Sequence, residues 1–253
     1  MSTTYTFLIF LHVSAGFFSL ILFWIPIWSK KGSPLHIRSG RWYLDIMYVV
    51  SISAFCLSIL LMIDPIAAKF STANFSALRA IEVSAETRRS SLFLLAISIL
   101  VLVNIRHGVL SLKAKRQHSL MRAPSHLLLN TCLLIAGISL IIAGNGGSRI
   151  LFYIFAGLCI TTSVGNLRYC LKSQVANKEW LIAHLSSMIG AGIASYTAFF
   201  VFGGNRFMAQ IFDGQLMMIP WVAPGVIGGC IIGYLSYQYR KQFQAQTNSA
   251  RIN

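Results

Sequence analysis

Histidine is the residue type in this chain with the widest capacity for chemistry, and most of its copies lie near the ends of apolar stretches. The 253-residue chain has six histidines: His12, His36, His107, His118, His126 and His184. Neutral imidazole binds transition metals, two imidazoles can ligate haem axially, and imidazole exchanges a proton near neutral pH. Each role requires side chains from different segments to meet. The arrangement of the segments that carry the histidines therefore determines which role is feasible.

Seven apolar stretches carry these residues, and each is long enough to cross a lipid bilayer as a helix, which takes about 20 residues. The stretches are 5–29, 43–63, 90–112, 125–144, 150–171, 180–202 and 216–237. Charged residues make up only 11% of the chain, against about 25% in a soluble domain. We therefore predict an all-α integral membrane bundle of about seven transmembrane helices. Such a protein contacts the lipid bilayer and belongs to the cell (inner) membrane as a multi-pass protein.

Positive charge is divided unequally between alternate loops, which predicts the orientation of the bundle. One set of loops holds 15 Lys and Arg residues and the other set holds 6. Because cationic loops stay in the cytoplasm, the N-terminus is expected outside and the C-terminus inside. Every histidine except His12 then lies at or near the cytoplasmic surface. The net charge of +15 is spread over short loops and forms no single patch, so we predict no nucleic-acid partner.

The chain is predicted to hold one transmembrane helical domain, residues 1–240, followed by a polar cytoplasmic tail, residues 241–253, that is disordered. The longest loop between spans covers residues 64–89 on the outer side. Its mixed apolar and polar sequence predicts a short amphipathic helix on the membrane surface. A lid over an outward cavity is the alternative, since long loops are often functional.

Three histidines are expected at similar depth on three different helices. At about 1.5 Å per residue, His107, His126 and His184 lie within roughly 10 Å of the inner boundary. Together with His36 in the first cytoplasmic turn, they form the predicted ligand set for zinc, iron or another transition metal. His12 and His184 are the candidates for binding a cofactor such as haem. The alternative is interfacial histidines that only pack, because no H-x-x-x-H or C-x-x-C-H spacing links them.

A second hypothesis uses titratable groups inside the membrane. His12 lies about 10 Å below the outer boundary, and Gly16 one turn further leaves room for a ligand or a neighbouring helix. His12 can act in a proton relay, or it can be a buried histidine that is only hydrogen-bonded. Asp45 follows Arg41 by one helical turn, so it can orient a histidine or form an ion pair with that arginine. His12 and Asp45 together suggest a small-molecule or proton transporter.

A third hypothesis is a non-catalytic assembly or partner protein. Gly225, Gly229 and Gly233 recur at four-residue spacing in the last apolar stretch, and small residues at this period let two helices approach closely. They can serve packing within the monomer, or a homo-oligomer or partner subunit. The sequence shows no serine triad, phosphate loop or paired carboxylates, so whether the protein is an enzyme stays open.

The cysteines are expected to have no role beyond packing. They are Cys56, Cys132, Cys159, Cys170 and Cys230. All lie in apolar stretches and none forms a C-x-x-C pair, so we predict no disulfide framework. Buried free cysteine behaves as a small hydrophobic residue.

Several short patterns in the chain resemble those of a known family. They are Leu11-His12-x-x-x-Gly16, Lys31-Gly32-x-x-x-His36-x-x-x-Gly40-Arg41-x-Tyr43, the turn from His118 to Arg122, and Trp180-x-x-x-His184-x-x-Ser187-Met188 with Thr197-Ala198-Phe199. With these patterns the chain resembles an uncharacterised bacterial family of multi-pass membrane proteins, domain of unknown function 2306. The resemblance runs from the first to the sixth apolar stretch. It implies a membrane protein of unassigned activity.

Overall fold

The computed structural model of the protein describes the backbone of residues 1–115, 117–145, 150–212 and 214–252, with side chains except at 205, 206, 209 and 244–252. This part of the chain is helical and contains no strand. The α-helices are α1 Thr3–Trp28, α2 Pro34–Ile63, α3 Pro65–Lys69, α4 Ala77–Lys113, α5 Pro124–Gly144, α6 Ile150–Leu171, α7 Glu179–Ala198, α8 Asn205–Ile211 and α9 Ile219–Ile252. A 3₁₀ turn, His118–Arg122, joins α4 to α5.

Seven segments of the described chain are long and apolar enough to cross a membrane. They are Thr3–Trp28, Pro34–Ile63, Ala77–Lys113, Pro124–Gly144, Ile150–Leu171, Glu179–Gly203 and Gly214–Phe243. Large apolar side chains cover their outer surface; Trp28, for example, is 77% exposed. Apolar surface on this scale is typical of contact with lipid. The predicted all-α class and number of spans are confirmed, and the chain has the features of a multi-pass membrane protein. The orientation and the kind of membrane stay predictions.

Two helices begin well before the apolar stretches that predict them. α2 starts at Pro34 because Ser33 is its N-cap, accepting a hydrogen bond from the backbone N–H of His36 at 3.2 Å. α4 starts at Ala77, so the predicted surface helix in the loop 64–89 is instead the first part of α4. Polar residues with good helix propensity extend a helix beyond the hydrocarbon core, and a hydropathy pattern detects only the apolar part.

The chain divides into two compact units. The first holds residues Met1–Leu102 and Leu129–Val164, and the second holds Val103–Leu128 and the chain from Gly165 onward. The single domain 1–240 stays a prediction. The backbone of α9 continues as helix to Ile252. Asn253 and the side chains beyond Phe243 lie outside the described part, and the disorder of 241–253 also stays a prediction.

The first unit is held together by apolar clusters and one close helix approach. Phe93 of α4 packs against two rings of α6, with centroids 5.1 Å from Phe152 and 5.0 Å from Phe155. A Cβ atom on Gly137 of α5 would lie 2.8 Å from Ile160 of α6, so only glycine allows this approach. Aromatic packing and close approach of small residues are the forces that associate helices in lipid.

The second unit uses glycine in the same way. A Cβ atom on Gly108 of α4 would lie 2.4 Å from the Met188 Cε atom of α7. A Cβ atom on Gly228 of α9 would lie 2.2 Å from the Ile193 Cδ1 atom of α7. α7 therefore packs closely on both helices.

The predicted glycine stripe is not the packing face of α9 in the described structure. Apart from the nearby backbone of α9 itself, no heavy atom of the described residues lies within 4 Å of a Cβ added at Gly225, Gly229 or Gly233. Packing within the monomer uses the adjacent Gly228, and contact of the stripe with another subunit stays a prediction.

Candidate metal centre

Three buried side chains from three helices converge in the second unit. They are His107 of α4, His126 of α5 and Cys170 of α6, and one potential ligand atom of each lies within 4.8 Å of the other two. The residues are 2%, 0% and 0% exposed, respectively. Two imidazoles and a thiol are a donor set that zinc and other borderline metals accept. The described residues therefore contain one compact candidate metal centre.

The two imidazoles face each other directly. His107 Nδ1 and His126 Nε2 are 3.1 Å apart, and the ring centroids are 5.3 Å apart. One ring donates its N–H to the other, and the tautomers decide which is the donor. Two nitrogens bound to one zinc ion, each at about 2 Å, lie about 3.3 Å apart in tetrahedral geometry. The spacing of the two nitrogens is thus close to the spacing that one bound metal ion requires.

Local sequence sets the position of each ligand. His126 lies in the first turn of α5, where Pro124 begins the helix and the His126 N–H donates to the Ala123 carbonyl at 2.8 Å. Cys170 lies in the last turn of α6. His107 lies in the last two turns of α4, and its ring centroid is 5.5 Å from the ring centroid of Tyr169.

The 3₁₀ turn between α4 and α5 holds the end of α6 beside the two histidines. His118 Nε2 donates to the Tyr169 carbonyl at 3.0 Å. Arg122 donates through Nε to the Cys170 carbonyl at 3.3 Å and through Nη2 to the Lys172 carbonyl at 2.8 Å. The last carbonyls of a helix have no partner within the helix, so these side chains cap α6. The same contacts fix the backbone from which Cys170 projects.

A fixed positive charge lies beside the histidine pair. Arg106 precedes His107, and its Nη2 atom donates to the Ser125 Oγ atom, next to His126, at 2.7 Å. Its charge opposes a metal cation bound to His126. Binding of a divalent ion here therefore depends on the negative charge of Cys170.

The other predicted ligands have separate hydrogen bonds. His184 of α7 bonds through Nδ1 to the Gly108 carbonyl at 2.9 Å, so it neighbours the three-residue cluster without belonging to it. His36, in the first unit, donates from Nδ1 to the Pro26 carbonyl at 2.9 Å. That carbonyl also accepts from the Lys31 ammonium at 2.9 Å. The structure thus gives His36 a capping role at the end of α1, and a ligand role for it stays a prediction.

The groups of the transporter hypothesis are also in the first unit. His12 Nδ1 lies 3.0 Å from the Val50 carbonyl and 3.1 Å from the Ser53 Oγ atom, both on α2. His12 is thus half-buried and hydrogen-bonded, and the choice between the two alternatives for it stays a prediction. Asp45 is exposed, and within the described residues it forms no ion pair with Arg41. The ion pair between Arg41 and Asp45, one of the two roles expected for Asp45, is therefore not formed among the described residues.

Cys170 is the member of the cluster that sequence reasoning missed. It is the penultimate residue of the stretch 150–171, while His126 is the second residue of 125–144 and His107 lies five residues before the end of 90–112. In alternating helices these three positions share one membrane level. A depth comparison that included cysteine would have found the site.

Comparisons of the chain with protein-family models, with curated proteins and with solved structures found no match. The chemistry of the cluster therefore rests on its own geometry. Among the described residues the cluster offers three donors, which leaves one position of a tetrahedral metal open. An open position is the arrangement of catalytic zinc sites, whereas structural zinc sites are closed by four protein ligands. The cluster can hold an ion that also binds water or a small molecule.

Proposed function

We propose that the protein is a multi-pass membrane protein that binds one transition-metal ion, zinc fitting best, through His107, His126 and Cys170. The observation that carries this proposal is the convergence of three buried ligand atoms within 4.8 Å of one another. Buried polar groups are expensive in lipid and mark functional sites by default. The open fourth position favours a site that exchanges ligands over a purely structural one.

Haem fits the His107–His126 pair poorly. A bis-histidine haem places iron between two opposed nitrogens, each at a metal–nitrogen distance of about 2 Å. The facing nitrogens are already only 3.1 Å apart, which is less than two such bonds in line. A porphyrin plane cannot pass between them, so a small metal ion is favoured at this pair. Haem on His12 or His184 stays a separate prediction.

Metal analysis of matched cysteine variants tests the proposal. Cys170 and Cys159 both lie in α6 and both are fully buried, but only Cys170 belongs to the cluster. We expect the protein, purified with a tag free of histidine, to hold about one metal ion per chain. Cys170→Ala should lose most of it, and Cys159→Ala should retain it.

Cobalt gives a second readout of the same variants. A thiolate bound to Co²⁺ produces a charge-transfer absorption, which should be present in the parent protein and in Cys159→Ala and absent in Cys170→Ala. A parent protein without stoichiometric metal, or two variants with equal metal content, would contradict the proposal.

We further propose that the metal centre lies near the cytoplasmic side and that the chain belongs to the family it resembles, domain of unknown function 2306. The excess of Lys and Arg in alternate loops supports the orientation. The patterns around His12, His36 and His184 support the family. The transport and assembly hypotheses stay predictions.

A further inference from the structure

A cationic groove lies at the start of α2, in the first unit. Its volume is about 610 Å³, and it is lined by Gly32, Pro34, Ile37, Arg38, Arg41 and Trp42. The groove belongs to the first turns of a segment long and apolar enough to span a membrane. It shares no residue with the candidate metal centre, so the two sites can be tested independently.

Two guanidinium groups face this groove from one side of the helix. Arg38 and Arg41 are three residues apart, which places them on the same helical face, and both are exposed. The Arg38 guanidinium carbon lies 4.7 Å from the centroid of the Trp42 ring, which orients it. Within the described residues, no carboxylate pairs with either arginine. Both are therefore available to an external anion.

The chemistry of arginine narrows the class of anion. A guanidinium group offers a planar set of N–H donors that binds phosphate through two parallel hydrogen bonds. The positive end of the dipole of the 30-residue helix α2 adds to the attraction. The neighbouring Lys31 is already engaged, because its ammonium group donates to the carbonyls of Pro26 and Ile27. Recognition of a phosphate therefore falls to the two arginines.

The apolar lining indicates that the phosphate belongs to a lipid. Ile37 is 47% exposed and Trp42 is 49% exposed, so an apolar edge borders the two guanidinium groups. Tryptophan is enriched where the headgroups of a bilayer meet its hydrocarbon, and arginine extends its charged end to the same level. A free phosphate ion uses none of this apolar surface, whereas a phospholipid uses both parts.

We infer that this groove binds the headgroup of an anionic phospholipid, with Arg38 and Arg41 on the phosphate and Ile37 and Trp42 against the glycerol and upper acyl region. Basic sites of this kind at the cytoplasmic ends of transmembrane helices attract anionic lipids. Asp45, one turn beyond Arg41 on the same helix, opposes this attraction. Its removal should strengthen the binding.

Retention of phosphatidylglycerol tests the inference. The protein is reconstituted in vesicles of phosphatidylcholine with a minor share of phosphatidylglycerol, extracted in mild detergent, and its bound lipids are quantified by mass spectrometry. The parent protein should be enriched in phosphatidylglycerol over the vesicle. The double substitution Arg38→Ala and Arg41→Ala should weaken this retention about tenfold. The control substitutions Arg240→Ala and Lys241→Ala remove the same charge elsewhere and should not change retention.

A lysine variant and a phosphate competitor distinguish lipid binding from binding of charge alone or of a free phosphate ion. Arg38→Lys with Arg41→Lys keeps the charge and should give intermediate retention, and it serves if the alanine variant does not fold. Inorganic phosphate at the same concentration as the lipid phosphate and at constant ionic strength should leave retention unchanged, because the free ion lacks the apolar contacts. The inference fails if the parent protein shows no enrichment or if both charge-removing variants lose lipid equally. It also fails if the lysine variant matches the parent protein, or if inorganic phosphate displaces the lipid.

Discussion

At the scale of single residues, the cluster consists of two imidazoles and one thiol. The two imidazoles share a hydrogen bond with each other, and the charge of the thiol decides whether a cation is held. His107 and His126 meet at 3.1 Å, and Cys170 is the member of the cluster that can carry a negative charge. The Cys170 thiol must lose its proton to bind metal as a thiolate, whereas a neutral imidazole binds through its unprotonated nitrogen, so metal binding releases the thiol proton and strengthens as the pH rises. The sequence allowed the two histidines to be predicted by depth. Their pairing could not be predicted, because it depends on which helices are neighbours.

Arg122 should act on the metal through the backbone of Cys170. Arg122→Ala removes the caps on the Cys170 and Lys172 carbonyls, so we expect metal affinity to fall about tenfold, as for other supporting contacts around metal ligands. Competition with a chromophoric chelator measures the affinity. The metal affinity of Arg122→Lys should be intermediate, since a lysine ammonium group cannot reproduce the planar pair of donors that reaches both carbonyls.

The control for this prediction is Arg168→Ala, which removes the same charge from an exposed position two residues before Cys170. Its affinity should equal that of the parent protein. Equal losses at both positions would show that charge alone, and not the contact with the end of α6, supports the metal.

At the scale of the elements, hydropathy predicted seven helices but not their ends or their packing faces. Ser33 and Pro34 carry the start signal of α2, yet a search for apolar residues begins that span at residue 43. On α9, the spacing of Gly225, Gly229 and Gly233 drew attention to one face. Gly228, one position away, is the residue that α7 packs against. Which glycine is used depends on the rotation of the helix, and helix rotation is set by neighbours that a sequence does not reveal.

Adjacent glycines of α9 should therefore respond in opposite ways to the same substitution. Gly228→Ala places a methyl group 2.2 Å from the Ile193 Cδ1 atom, and we expect a loss of about 1–3 kcal/mol from overpacking. Gly229→Ala meets no atom within 4 Å, and we expect a gain of about 0.5–1 kcal/mol in the free energy of unfolding. Thermal unfolding of the two variants in detergent measures both effects.

A destabilised Gly229→Ala would contradict this expectation and would indicate that another subunit covers the glycine stripe. Size determination of the detergent-solubilised protein would then test for an oligomer. A neutral Gly228→Ala would show that the Ile193 side chain rotates away at no cost, since that contact is made by the end of a flexible side chain.

At the scale of the whole molecule, the composition predicts the class of protein and the loops predict its orientation. The class of protein can be predicted because lipid places the same strong requirement on every spanning helix. Each must have a long apolar segment, and its backbone groups must be hydrogen-bonded within the helix. The chemistry follows no such simple constraint. His36 and His107 look alike in the sequence, yet His36 caps the end of α1 and His107 joins a candidate ligand set.

Labelling from outside intact cells should establish the orientation. A membrane-impermeant maleimide should modify a cysteine placed at Ser71, in the predicted outer loop, and should modify one placed at Gln117 only after lysis. Both positions are exposed. The exposed native cysteines Cys56, Cys132 and Cys230 are replaced by alanine in the background. Labelling of the Gln117→Cys variant in intact cells would reverse the topology and place the metal centre at the outer side.

The double use of the Pro26 carbonyl has a consequence for how the chain enters the bilayer. Lys31 and His36 both donate to this atom, so the first connecting turn satisfies the end of the preceding helix from within residues 1–63. Nothing synthesised later is needed for that polar group. The first two helices can thus leave the translocation machinery together as a finished hairpin, against which the remaining spans are then added.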